Sequence, residues 1–205
     1  MISFIYFDLG GVVIKDFSGN DGWLKMKQDL GVKPEDDERF DVFFDNLENE
    51  KLNVGKENLE SAIPVIEKEF GITFPKNYSF LNDFVNRFGK NESIWPIIKK
   101  AKEHTKIGLL TNMYQGMLSA IKNKNIMPKV NWDLVVDSSV IGLRKPEEKI
   151  YKIAEKKSGV NKDQILFIDN SLKNIEAAKN FGWQTFLYDS ANPEDSNQKL
   201  ITLIH

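Results

Sequence analysis

Six residues stand where chemistry could be done. Asp8 closes an apolar run, Thr111 and Asn112 close a second, and Asp169 and Asn170 close a third. Lys145 precedes a proline, Pro146, that holds it extended and places it beside the first turn of a helix, a position favourable to anions. The set offers one carboxylate as a nucleophile, a hydroxyl, an ammonium group and a second carboxylate. Phosphoryl transfer asks for these types: an in-line nucleophile, donors to the equatorial oxygens, positive charge, and carboxylates to hold Mg²⁺.

The elements that must position these residues follow from texture. Residues 2–7 are continuously apolar and end in Gly10-Gly11, which predicts a strand buried on both faces. From about residue 16 to 90 no comparable strand is expected. Trp23, Phe40, Phe44, Leu59, Ile63, Phe70, Phe80 and Phe84 recur there at helical spacings, and the acidic cluster 35–38 after Pro34 reads as a charged first helical turn. After residue 90, helices over 94–101, 114–123, 147–157, 172–181 and 194–203 alternate with strands over 106–110, 132–136, 165–168 and 184–187. Pro96 is expected in the first turn of its helix, capped by Asn91 or Ser93. This alternation predicts an α/β fold, a Rossmann-like parallel sheet with helices on both faces. Ligands bind such sheets at the carboxyl ends of the strands, where the six residues fall.

Composition narrows the chemistry further. The 205 residues contain no cysteine and two histidines, which excludes thiolate chemistry, cysteine-ligated metals and histidine-rich metal sites. With 28 basic and 30 acidic side chains the net charge is −2, which argues against nucleic acid as a partner. The apolar N-terminus has no basic flank and is interrupted by Asp8, so neither a signal peptide nor a membrane partner is expected, and the location expected is cytoplasmic.

Four segments resemble the haloacid dehalogenase-like (HAD) superfamily: Phe4-Ile5-Tyr6-Phe7-Asp8-Leu9-Gly10-Gly11-Val12-Val13, Ile107-Gly108-Leu109-Leu110-Thr111-Asn112, Gly142-Leu143-Arg144-Lys145-Pro146-Glu147, and Phe167-Ile168-Asp169-Asn170. Their order and the intervals of 103, 34 and 24 residues between Asp8, Thr111, Lys145 and Asp169 carry the likeness. The resemblance implies a core of residues 1–15 and 91–205 with an inserted helical cap, 16–90, of the type found in small-metabolite phosphatases. It implies Asp8 as nucleophile, Thr111 and Lys145 as catalytic partners, and Leu9, Gly10, Thr111, Asn112 and Lys145 around the phosphate. It implies Mg²⁺ held by Asp8, the Gly10 carbonyl, Asp169 and Asn170, with a small phosphorylated metabolite as substrate.

Two departures from the family pattern matter. Gly10 stands where a second aspartate usually protonates the leaving group, and general acid catalysis is worth ~10²–10⁴-fold. Asn170 replaces the second acid of the last segment, which predicts weakened, phosphate-assisted Mg²⁺ binding. Gly10 alone predicts a preference for leaving groups that depart as anions. Two further functions stay open: a weak or inactive binding protein, and a metal-independent 2-haloacid dehalogenase with Arg39 binding halide or carboxylate. A response-regulator receiver is disfavoured, because its acidic pair follows the first strand. Phe17 and Trp23, early in the insert, are candidates to face the substrate. The plain alternatives are that Lys145 is a solvated loop residue and that Asn170-Ser171 only caps a helix.

Overall fold

The computed structural model describes residues 1–18 and 21–204. The chain runs β1 (Phe4–Phe7), β2 (Ile14–Lys15), α1 (Asp21–Asp29), α2 (Asp37–Leu47), α3 (Leu59–Phe70), α4 (Phe80–Arg87) and β3 (Gly89–Lys90). It continues α5 (Trp95–His104), β4 (Lys106–Thr111), α6 (Met117–Asn123), β5 (Leu134–Asp137), α7 (Ser138–Ile141), α8 (Glu148–Ser158), β6 (Ile165–Asp169), α9 (Leu172–Phe181), β7 (Gln184–Leu187) and α10 (Pro193–Leu203). A 3₁₀ turn over Pro34–Asp36 leads into α2, and a single π-helical turn over Glu48–Leu52 follows it.

Five strands form one parallel sheet in the order β5-β4-β1-β6-β7. β1 is the middle strand, with Phe4 opposite Lys106 on one side and Ile165 on the other. Alternate residues of a strand point to opposite faces. Accordingly Ile5 and Phe7 join one apolar cluster, while Phe4 and Tyr6 join a second with Tyr151, Phe167 and Ile175. The sheet is thus covered on both faces, and its unbroken apolar strands are explained by that double burial. The first cluster runs on without interruption into Phe40, Phe44 and Phe84 of the insert. Among the described residues, no helix is long and apolar enough to cross a membrane.

Some local expectations differ. The chain enters and leaves the insert through an antiparallel ribbon, Ile14 opposite Lys90 and Lys15 opposite Gly89, where no strand was expected. Two-residue strands carry no periodicity to read. Pro96 does lie in the first turn of α5, but neither Asn91 nor Ser93 caps it. Asn91 is buried and donates instead to the Val12 carbonyl (2.7 Å) and the Tyr188 hydroxyl (3.2 Å), with Ser93 donating to it. Pro146 precedes α8 rather than opening it, because Glu147 is the N-cap. β5 begins two residues later than expected, and α6 begins at Met117 because Gly116 before it adopts φ 79°.

Candidate active site

β1 ends at Asp8, whose N–H still donates to the Ile168 carbonyl at 2.8 Å, so the strand's geometry aims its side chain. Asp8 Oδ1 accepts from the Leu9 N–H (2.7 Å). Lys145 Nζ lies 2.8 Å from Asp8 Oδ1 and 2.6 Å from Asp169 Oδ2. Lys145 is 1% exposed, which overturns the reading of a solvated loop lysine. Burial raises the Asp8 carboxyl against the pull of Lys145, to about 6. Burial also lowers Lys145, but the two carboxylates more than offset this and hold it above its ordinary range. The lysine therefore stays charged.

Neighbours fix this trio. The Asn112 side chain bonds both backbone groups of Lys145, donating to its carbonyl (3.0 Å) and accepting from its N–H (2.9 Å). Asn112 thus positions the lysine. Asp169 accepts from Lys145, from the Ser171 N–H (2.7 Å) and from Asn174 through both oxygens (3.2 and 3.0 Å). Ser171 is the N-cap of α9 without a side-chain cap bond, and Asp169 holds it through its backbone N–H. Thr111 is fully buried and its Oγ1 has no hydrogen-bond partner among the described residues. An unmatched buried hydroxyl costs about 1–3 kcal/mol, so its presence calls for a ligand.

Above the trio lies a cleft of about 610 Å³ between the sheet's carboxyl edge and the insert. Asp8, Gly10, Thr111, Asn112, Lys145 and Asn170 line its floor, and Asp169 lies beneath. Asn170 packs against Gly11, where φ is 78° and a Cβ would stand 2.2 Å from the Asn170 amide nitrogen, so only glycine fits. Asp8, the Gly10 carbonyl and Asn170 are hard oxygen donors that suit Mg²⁺, which binds through one or two carboxylates and keeps waters and substrate oxygens. Among the described residues no cluster of three acidic or histidine side chains forms a closed cage. Asp169, the other carboxylate expected at the metal, accepts from Lys145, Ser171 and Asn174 beneath this donor set. The Leu9 N–H is spent on Asp8, and the Gly10 N–H forms no hydrogen bond among the described residues.

The insert supplies the roof. Phe17 and Trp23 line it, as do Phe44 and Phe84. Arg39 is outside, paired with Asp36 and Glu69 and stacked 4.8 Å over Phe70, so it cannot bind a ligand in this cleft. The roof is acidic, with Asp16, Asp41, Asp45 and Glu48; Lys27 matches Asp41 at 2.8 Å. Glu48, half-buried and accepting from the Tyr114 hydroxyl, was not singled out by the sequence. Burial raises its carboxyl to about 8, Asp45 and Asp16 add to the rise, and Arg144 opposes it.

That displacement predicts a pH-dependent stability. Below the ordinary value of 4.5 both folded and unfolded chains hold the proton, and the group's contribution is complete. As pH rises towards 8 the unfolded chain releases the proton while the folded chain retains it, and stability is lost. Glu48→Gln keeps the shape without the titration. It should melt like the parent near pH 4.5 and progressively higher than the parent as pH approaches 8, read by thermal unfolding. A melting-temperature difference independent of pH would exclude this.

A family model described as haloacid dehalogenase-like hydrolase matches residues 3–182. Bifunctional epoxide hydrolase 2 of Rattus norvegicus is 23% identical over 162 residues, 72% of this chain and 29% of that one. An (S)-2-haloacid dehalogenase of Pseudomonas fluorescens is 29% identical over 79 residues, 38% and 34% of the two chains. The chain spans about a third of the length of these curated relatives. The HAD family enzyme BT-2542 of Bacteroides thetaiotaomicron, solved with magnesium and inorganic phosphate, shares the fold at a TM-score of 0.75, with 18% identity over 93% of this chain and 96% of that one.

Proposed function

From a chain that belongs to the haloacid dehalogenase-like hydrolases, we infer a magnesium-dependent phosphatase of small phosphorylated metabolites, working through an aspartyl-phosphate on Asp8. The observation that carries this reading is the unpartnered Thr111 hydroxyl, which lines one cleft with a carboxylate and a buried ammonium group. A tetrahedral phosphoryl group accepts from the hydroxyl and the ammonium group and presents phosphorus to the carboxylate. The cleft's volume suits a metabolite, within the usual ~300–1,000 Å³ for small ligands.

Asp8, held at Oδ1 by Leu9 and Lys145, attacks phosphorus in line with the departing oxygen. Thr111 Oγ1 and the Gly10 N–H donate to the equatorial oxygens, and Lys145 offsets their charge. When bound, Mg²⁺ adds neutralising charge beside the phosphoryl group, and Asp8, the Gly10 carbonyl and Asn170 would hold it. Water then hydrolyses the acyl phosphate and restores Asp8.

A dehalogenase reading has two curated relatives in its favour, but Arg39, the cation it would use for halide or carboxylate, lies outside the cleft. The discriminating experiment is a phosphometabolite panel with and without Mg²⁺, with Asp8→Asn as the blank and halide release from a 2-haloacid measured alongside. Mg²⁺-dependent phosphate release supports the phosphatase. Halide release would replace it with a dehalogenase, and phosphate binding without turnover would make the chain a binding protein.

The Asn112 clamp has its own expected result. Asn112→Ala removes both bonds to the Lys145 backbone, and misplacement by about an ångström costs on the order of 10²-fold in rate. Steady-state turnover of an aryl phosphate should fall about 10–100-fold when measured well below a melting transition that the two lost bonds also lower. Unchanged kinetics would show that Lys145 is positioned without it.

A further inference from the structure

We propose that Glu48 is the proton donor to the leaving group, in place of the acid that Gly10 lacks; this rests on the phosphatase reading above. A side chain on residue 10 would start 3.4 Å from Asp16 Oδ2, so the room for a carboxyl there already holds one. Asp16 accepts from the Ser18 N–H (2.9 Å) and hydroxyl (2.8 Å), which turn its carboxylate to its own loop. Glu48 lines the same cleft as Asp8 and Thr111, at the start of the π-helical turn, and the Tyr114 hydroxyl from the loop after β4 donates to its Oε1. Its charged neighbours are Asp45 on α2, Asp16 after β2 and Arg144 before α8; the two aspartates favour the neutral acid and Arg144 opposes them. Burial completes the balance, and with a value of about 8 Glu48 holds its proton at neutral pH.

The proton then has a closed route. As the Asp8–phosphorus bond forms and the phosphorus–oxygen bond to the leaving group breaks, the Glu48 proton passes to the departing oxygen, giving the alcohol and a Glu48 carboxylate. In the second step that carboxylate takes a proton from the water that attacks the acyl phosphate. Asp8 departs as carboxylate, phosphate leaves, and Glu48 is an acid again. The wild type therefore depends only shallowly on leaving-group acidity, the reverse of what Gly10 alone predicts.

The test compares wild type, Glu48→Gln and Glu48→Asp on an aryl phosphate and a primary alkyl phosphate with Mg²⁺ across pH. In kcat/KM, which reports phosphorylation of Asp8 and not the later hydrolysis, Glu48→Gln should lose ~10²–10⁴-fold on the alkyl phosphate and less than about tenfold on the aryl one. Wild-type kcat/KM on the alkyl phosphate should fall above pH 8, and that limb should vanish in Glu48→Gln and persist in Glu48→Asp. Equal losses in kcat/KM on both substrates, or none on the alkyl phosphate, would overturn the assignment while wild-type turnover left the phosphatase reading standing. A wild type inert on both would bring down that reading first, and the assignment with it.

Discussion

Asp8→Asn should stop turnover of an aryl phosphate, with a fall on the order of 10⁴–10⁶-fold, because on the phosphatase reading it removes the covalent route and not merely one donor. The fold should survive. Asparagine is isosteric, its oxygen can still accept from the Leu9 N–H, and Lys145 keeps Asp169 at 2.6 Å. The ionised Asp8 is also held against burial, which lifts it to about 6, so a neutral amide relieves a cost rather than adding one. The variant should melt no lower than the parent, a stability gained where activity is lost. Phosphate release within tenfold of wild type would place the nucleophile elsewhere.

Lys145→Met has the larger effect on stability. It leaves two carboxylates facing one another in a buried site that held one ammonium group between them. Removing one partner of a buried pair costs about 3–5 kcal/mol, and each kcal/mol is worth roughly 2–4 °C in a chain of this size. A drop in melting temperature of roughly 6–20 °C is expected at neutral pH. The deficit should shrink on acidification: without the lysine Asp8, already raised by burial, titrates further above its unfolded value, so the loss appears as pH rises through the folded value and fades below it. Adding Asp169→Asn should recover much of the loss, since it removes one of the two facing charges. A variant as stable as the parent at neutral pH would mean that the ammonium group does not balance the pair.

The sheet was legible in the sequence because its physics is local. Strands buried on both faces are continuous apolar runs, and 165–168 and 184–187 came within a residue of β6 and β7. The site residues were legible through their position at strand ends, which the topology converts into proximity. What the sequence concealed depends on distant partners. Nothing beside Lys145 announces two carboxylates from β1 and β6, and nothing beside Asn91 announces Tyr188. Arg39 looked like a ligand-binding cation, yet its partners lie on α3 and the turn before α2. Glu48 is one acid among several in Asp45–Glu50; only the cleft and Tyr114 set it apart.

The strand order also sets the terms on which the chain can assemble. β1 leaves the ribosome first, but its pairing partners β4 and β6 lie more than a hundred residues further on. The middle of the sheet, with Asp8 at its end, is therefore made before its partners and completed late. Closing loops of that length is entropically slow, and non-local parallel pairing is slow in general. The β2–β3 ribbon shortens the search: once Ile14 meets Lys90, the insert is a closed loop, and β1 is held a short tether away from β4.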